Sequence, residues 1–311
     1  MSIQWYPGHM HKASKEMAEV LPKVDLIIEL LDARIPFSSE NPQIAALRRD
    51  KPCIKLLSKS DLADEDISRQ WQQYFEQQSQ VKTLLMSTEQ LDRPKQIIEL
   101  CRKMVPHREG AVKDITAMVM GIPNVGKSTL INNMAGRMIA KTGNEPAVTK
   151  GQQRINLRNG IMLLDTPGIL WPKFVNQNSA YRLATTGAIK DTAMSYEDVA
   201  FFAAEYLLQH YPERLEERYK IAQLPNTEVE LLECIGAQRG CLRAGGRVDL
   251  EKVSTILLNE LRAGLLGRIS LETPAMVIKE QVALQVKLEQ EAELKKQKDL
   301  QRRAKSKKRK R

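Results

Sequence analysis

Short apolar blocks recur along the first half of the chain, separated by longer amphipathic stretches. Asp25 to Leu31, Cys53 to Leu57, Val81 to Met86 and Ile115 to Met120 are runs of strand length that predict buried strands. Between them, apolar positions at helical spacing predict helices over Pro42 to Arg49, Asp64 to Gln78 and Asp92 to Val105. Strands and helices alternating at this length predict an α/β fold, a mostly parallel sheet with helices on both faces. Ile155 to Arg158 then alternates apolar and polar, and Asn159-Gly160 predicts a type I′ hairpin turn into a strand over Ile161 to Leu164. From Ser195 onward the pattern is helical. Ser195 with Asp198 and Thr227 with Glu230 form capping pairs, and a third helix is expected from about Asp249. Lys173 to Lys190 is read as the connecting segment.

One junction in this pattern carries chemistry. The strand ending at Met120 runs into GIPNVGKST, Gly121 to Thr129, and helical spacing resumes with Leu130, Ile131, Met134 and Ala135. Gly121, Gly126, Lys127 and Ser128 meet the phosphate-loop pattern, in which glycines let backbone N–H groups wrap the phosphates. The helix start adds partial positive charge at the same place. Asn124, Val125, Gly126, Lys127, Ser128 and Thr129 are therefore candidate nucleotide-binding residues, with Lys127 reaching the β- and γ-phosphates. Mg²⁺ is the expected metal, held by Ser128, by Asp165 at the end of the next strand, and by Thr149 in PAVTKG. Asp165 begins DTPG, whose Gly168 would offer its N–H to the γ-phosphate. The hairpin between phosphate-loop helix and DTPG is the Ras-like arrangement.

Base choice is read from SKSD, Ser58 to Asp61. A carboxylate accepts two hydrogen bonds from guanine N1–H and N2–H₂, which adenine cannot supply, so Asp61 points to GTP as substrate. The Lys59 stem would stack on the ring. Ser58 stands where the usual N-K-x-D pattern has Asn. A hydroxyl is expected to span less distance than an amide, which predicts weaker nucleotide binding with guanine preference kept. Ser87 and Thr88, after the third apolar run, sit where a second base-contacting loop would lie. In Ras-like enzymes a Gln after DxxG orients the attacking water; here that position is Ile169.

The base motif thus comes before the phosphate loop, which comes before DTPG. This order, with WYPGHM at Trp5 to Met10, DARIP at Asp32 to Pro36, GGRVDLEKV at Gly245 to Val253 and the LGRIS run at Leu266 to Ser270, resembles the circularly permuted GTPases of the YlqF/RbgA type. The likeness extends to about Pro274. It implies a circularly permuted Ras-like P-loop GTPase domain over residues 1–178, a small all-helical RNA-contacting domain over 179–275, and a basic tail over 276–311. It also implies a catalytic role for His9 in WYPGHM, with His11 the competing candidate, and a K⁺ held by Asn124 in place of an arginine finger. The implied function is GTP-driven assembly of the large (50S) ribosomal subunit, with rRNA bound in the GTP state and released on hydrolysis. A nucleotide-gated RNA binder with little hydrolysis, or a permuted GTPase acting on the small subunit, are the alternatives that Ser58 and Ile169 leave open.

Composition adjusts this picture at one end. The chain has 311 residues and a net charge of +10. Eleven Lys/Arg and one acid lie between Lys295 and Arg311, so this stretch holds the whole excess and the rest is neutral. Such an arm binds phosphate backbones by counterion release, without reading sequence. No apolar run reaches the length of a membrane span, so a soluble, cytoplasmic monomer with no membrane partner is expected. The four cysteines show no metal-ligand spacing, which argues against disulfides and structural zinc.

Overall fold

The computed structural model describes residue 3 and residues 5–87, 93–106, 114–139 and 153–309, with side chains of the last helix as far as residue 298. In chain order, helix α1 (Gly8–Val20) precedes β1 (Leu26–Asp32), the short α2 (Pro36–Ser39) and α3 (Pro42–Arg48). Then come β2 (Cys53–Ser58), α4 (Glu65–Glu76), β3 (Val81–Met86), α5 (Arg93–Met104), β4 (Ile115–Gly121) and α6 (Lys127–Ala135). A hairpin of β5 (Gln153–Asn156) and β6 (Ile161–Asp165) completes one six-stranded sheet, ordered β3-β2-β1-β4-β6-β5. Every neighbouring pair is parallel except β5 with β6.

Helix-covered parallel strands must be apolar on both faces, which is why β1 and β2 read as runs rather than alternations. Both are buried at every position. Of the three charges in them, Glu29 and Lys55 pair across the ladder. Glu29 is the register partner of Lys55, whose Nζ lies 3.1 Å from Glu29 Oε2, pairs with Glu40, and sits 4.5 Å from the Phe75 ring centroid.

The β5–β6 connection corrects the expected type I′ turn. Leu157 N–H donates to the Ile161 carbonyl, leaving a loop of Arg158, Asn159 and Gly160. Positive φ falls on Arg158 (58°) and Gly160 (83°) and not on Asn159, whereas a type I′ turn needs it at both central residues. Asn156 Oδ1 accepts from Arg158 N–H and stabilises the alternative.

Helices α7 (Gln177–Thr185), α8 (Tyr196–His210), α9 (Pro212–Tyr219), α10 (Glu228–Gln238) and α11 (Leu250–Arg262) follow. The expected caps form at Ser195 and Thr227, which accept from the N–H groups of Asp198 and Glu230, and Asp249 caps α11 by accepting from Lys252 N–H. The segment read as a connection contains α7, whose Ser179, Arg182 and Thr185 are buried. Buried polar groups with hydrogen-bond partners near and far along the chain conceal the apolar period there. Arg182 Nε donates to the Leu271 carbonyl, and the Thr185 and Thr186 hydroxyls donate to the carbonyls four residues back.

The chain divides into two compact units, Met1–Glu272 and Thr273–Arg311. The first holds the sheet together with α1 to α11. The second is α12 (Pro274–Arg309), whose start is capped by the Thr273 hydroxyl accepting from Met276 N–H. Among the described residues no helix is long and apolar enough to cross a membrane.

Candidate functional site

Parallel strands end together, so the carboxyl ends of β1, β2, β4 and β6 form one edge of the sheet. In open α/β sheets that edge is where ligands bind. Register places Asp32 beside Ser58, Leu30 beside Gly121, and Val119 beside Asp165.

The phosphate loop leaves β4 at Gly121, where a Cβ would lie 2.6 Å from the Leu30 carbonyl oxygen; only glycine fits. Asn124 (φ 58°) and Gly126 (φ 98°) are left-handed, which turns the chain into the start of α6. The orphan N–H groups of a helix start are a ready anion site. Lys127 folds back over the loop, with Nζ 3.0 Å from the Ile122 carbonyl and 3.3 Å from that of Gly121. Burial lowers its pKa to about 8, against the pull of Asp165. Ser128 is half-buried in the first turn of α6 and Thr129 is exposed. The Asn124 Nδ2 donates to the Gly187 carbonyl at 2.9 Å, so the loop is tied to the turn after α7.

Asp165 is 1% exposed, yet among the described residues neither of its carboxylate oxygens has a hydrogen-bond partner. Burial raises its pKa to about 6, opposed by Lys127. A buried carboxylate left without donors is costly unless a cation meets it. Carboxylate and hydroxyl oxygens are hard donors suited to Mg²⁺, so Asp165 and Ser128 fit that ion. Thr149 lies outside the described residues. Beyond Asp165, the Thr166 hydroxyl donates to the Val119 carbonyl, and Gly168 lies against the phosphate loop. A Cβ on Gly168 would come within 2.9 Å of Pro123 Cα and 3.0 Å of Lys127 Nζ. Ile169 and Leu170 are buried, so the position of the usual Gln is a packing position.

At the base end, the Ser58 hydroxyl lies 2.8 Å from the Val125 carbonyl and 2.9 Å from that of Leu31. With one proton it donates to either in turn, and it reaches the phosphate loop. The expectation that a hydroxyl falls short of that span is thereby corrected. Ser60 N–H donates to the Met86 carbonyl, which sets this loop beside the end of β3 and the half-buried Ser87. Thr88 lies outside the described residues. Lys59 has φ 55°, and its Nζ lies 3.0 Å from Asp32 Oδ2. Asp61 Oδ1 is buried with no partner among the described residues, a carboxylate oxygen that a donor such as guanine N1–H could meet.

The model of the family described as 50S ribosome-binding GTPase matches residues 116–230, from β4 into α10. A ribosome biogenesis GTPase A from Bacillus cereus is 45% identical over 88% of this chain and 95% of its own length. The chain belongs to the ribosome biogenesis GTPase A family. A mouse mitochondrial ribosome-associated GTPase 1 is 31% identical over 86% of this chain and 90% of its own length. The GNP-bound crystal structure of YlqF from Thermotoga maritima superposes with a TM-score of 0.59 at 26% identity, covering 85% of this chain and 98% of that one. This chain is a GTPase with the circularly permuted fold, and GTP is its substrate.

Two features of this GTPase were not assigned a role from sequence. Asp32 and Arg34 of DARIP form a buried fork: Arg34 Nε and Nη2 donate to the two Asp32 carboxylate oxygens at 2.9 and 2.7 Å. The only signal in the sequence was the motif itself. The second is the extended run Ile269 to Glu272, laid along the base loop. Ile269 N–H donates to the Leu62 carbonyl, Leu271 N–H to that of Arg34, and Trp71 Nε1 to that of Glu272. On its other side the Tyr206 and Tyr211 hydroxyls approach the Ser270 carbonyl at 3.0 and 3.2 Å. Glu272, wholly buried, accepts from Ser38 N–H and from Arg182.

The site therefore gathers Ser58, Val125, Lys127, Asp165 and Gly168. His9 is exposed in the first turn of α1, and no hydrogen bond or ion pair joins it to them among the described residues. Of the arginines on the helical part, Arg262 holds the α7 carbonyls of Ala184 and Thr185. Arg239, Arg243 and Arg268 pair with Glu260, Asp249 and Glu65, while Arg247 is exposed.

Proposed function

We propose that this GTPase serves assembly of the large ribosomal subunit, holding precursor rRNA in its GTP form and leaving on hydrolysis. The observation that carries this reading is the 45% identity, across 88% of the chain, to a protein named ribosome biogenesis GTPase A. The confinement of the whole positive excess to the end of the chain supports it. An appended basic arm adds affinity for any RNA phosphate backbone, while the helical part over residues 179–275 supplies position.

In this reading Mg²⁺ neutralises the phosphates, held by Ser128, Asp165 and Thr149. Lys127 gives up the Gly121 and Ile122 carbonyls for the β- and γ-phosphates. The N–H groups from Asn124 to Thr129 bind phosphate oxygens, and Gly168 offers its N–H to the γ-phosphate. Lys59, Asp61, Ser87 and Thr88 surround guanine. Ile169 cannot position water, so the intrinsic rate is slow and the ribosomal particle brings His9 to that task. Asn124 helps hold a K⁺ among the phosphates.

GTP turnover measured alone, with isolated large subunits and with isolated small subunits tests the reading. Stimulation by the large subunit alone, lost in His9→Ala with unstimulated turnover kept, is expected. Stimulation by the small subunit alone overturns the assignment of partner, and equal turnover in KCl and NaCl removes the potassium role.

A further inference from the structure

Asp32 closes β1, and its register partner Ser58 closes β2, so the first residue of DARIP is set beside the base-reading loop by the sheet itself. Ala33 N–H donates to the Ser58 carbonyl at 2.8 Å and locks the two strand ends together. The Asp32 carboxylate takes four donors. Oδ1 accepts from Arg34 N–H at 3.1 Å and Arg34 Nε at 2.9 Å; Oδ2 accepts from Arg34 Nη2 at 2.7 Å and Lys59 Nζ at 3.0 Å.

One negative charge thus faces two cations, and they are not equivalent. Arg34, like Asp32, is 2% exposed and makes a two-pronged pair that balances the buried charge by itself. Lys59 is not needed for that balance. Its side chain is 26% exposed and its backbone is held at φ 55°, a left-handed conformation that costs a non-glycine residue about 1 kcal/mol. Burial pulls the Lys59 pKa down, against Asp32. At Asp32 burial opposes ionisation, but Arg34 and Lys59 together hold its carboxyl well below the usual range. A strained backbone and a second, partly desolvated cation are retained where the position of the lysine matters more than the pair's contribution to stability.

We propose that Asp32 is a positioning residue for guanine binding: through Oδ2 it fixes the Lys59 ammonium, and so lays the lysine stem along the face of the base whose edge Asp61 reads. Asp32 touches no part of the nucleotide and acts through Lys59. The tether adds to the single hydroxyl contact that Ser58 makes with the phosphate loop, and it rests on the assignment of Ser58 to Asp61 as the base site. Because the base is held alike in ground and transition states, the effect falls on binding and KM and leaves kcat unchanged.

Equilibrium titration of the full-length protein with a fluorescent GDP, beside steady-state GTP hydrolysis, tests this. Asp32→Asn keeps the shape of the side chain; it is expected to weaken GDP binding about tenfold and raise KM alike, with kcat within twofold. Lys59→Met, which keeps a stem and removes the ammonium, is expected to lose a similar factor. The double variant is expected to lose no more than Lys59→Met alone, the mark of two residues acting through one interaction. Should Asp32→Asn fail to fold, Asp32→Glu takes its place, keeping the charge for Arg34 while moving it by one methylene. Unchanged GDP affinity in a folded Asp32 variant, or losses that multiply in the double variant, overturns the proposal. Asp61→Asn tests the base site separately: a shift of preference from GDP toward XDP upholds it, and no shift removes the site on which the Asp32 role depends.

Discussion

The hydroxyl of Ser58 lies 2.8 Å from the carbonyl of Val125, so the SKSD loop is fastened to the loop that leads into α6 by one short side chain. An amide would have to reach from the same backbone position, 2% exposed and already filled. The hydroxyl suffices because β1 keeps the ends of β2 and β4 at a fixed separation. Ser58→Ala removes a buried hydrogen bond worth about 1 kcal/mol, and GDP affinity is expected to fall roughly fivefold. The same fluorescence titration reads it; an unchanged dissociation constant would show the fastening to be idle.

Gly168 has an ordinary backbone conformation, so its need for glycine comes from space alone. A methyl group there meets Pro123 Cα at 2.9 Å, Pro123 N at 3.0 Å and Lys127 Nζ at 3.0 Å, and two of these three atoms belong to backbone. Gly168→Ala must push DTPG off the phosphate loop. GTP hydrolysis is expected to drop about 100-fold, the usual effect of misplacing one transition-state donor. GDP affinity should change only a few-fold, because GDP has no γ-phosphate for Gly168 to meet. Single-turnover hydrolysis and GDP titration separate the two.

Asp165 and Lys127 give the nucleotide-free protein a defined pH response. The Asp165 pKa, about 6, stands above the ~3.9 of an unfolded chain, so its stabilising contribution is complete below pH ~4 and is lost as pH rises through 6. Lys127, at about 8, stands below the unfolded ~10.4; its contribution is present above that value and lost as pH falls through 8. Between pH 6 and 8 both are charged and the pair contributes least. Asp165→Asn is therefore expected to raise the melting temperature of the nucleotide-free protein at pH 7 by several degrees, on the order of 2 kcal/mol. The same change should abolish Mg²⁺-dependent GTP turnover. Thermal melts from pH 4 to 10, with and without Mg²⁺-GDP, measure both. A lower melting temperature in the variant would contradict the assignment.

Glu272 is 0% exposed and meets Arg182, itself 2% exposed, at 3.4 Å, while also accepting from Ser38 N–H. Replacing it by alanine removes the carboxylate that faces the buried Arg182 and accepts from Ser38 N–H. The expected cost is about 3 kcal/mol or more, read as a lower urea midpoint. Ile269 to Glu272 also runs along Leu62, next to Asp61, so this variant should weaken GDP binding as well. A variant as stable as wild type would contradict this.

Strands β1 to β4, helices α3, α4 and α5 between them, and the glycine-bearing loop into α6 were legible in the chain because each is a local demand. Glycine is favoured where φ is positive and required where space is short, and an apolar run is required where a strand is covered on both faces. The caps at Ser195 and Thr227 were legible for the same reason, since a cap is satisfied within three residues. Helix α7 was not, because its buried face carries Ser179, Arg182 and Thr185, and polar residues read as interior only once their distant partners are known. Nor was the hairpin turn, where Asn159-Gly160 suggested a two-residue loop and the ladder chose three. The sequence by itself determined the GTPase motifs and the order in which the chain delivers them. Only the tertiary structure decided what holds them. Asp32 meets Lys59, Ser58 meets Val125, and Glu272 meets Arg182 across 27, 67 and 90 residues of chain. Contacts at such separation are set by strand register and helix packing, which local spacing does not encode.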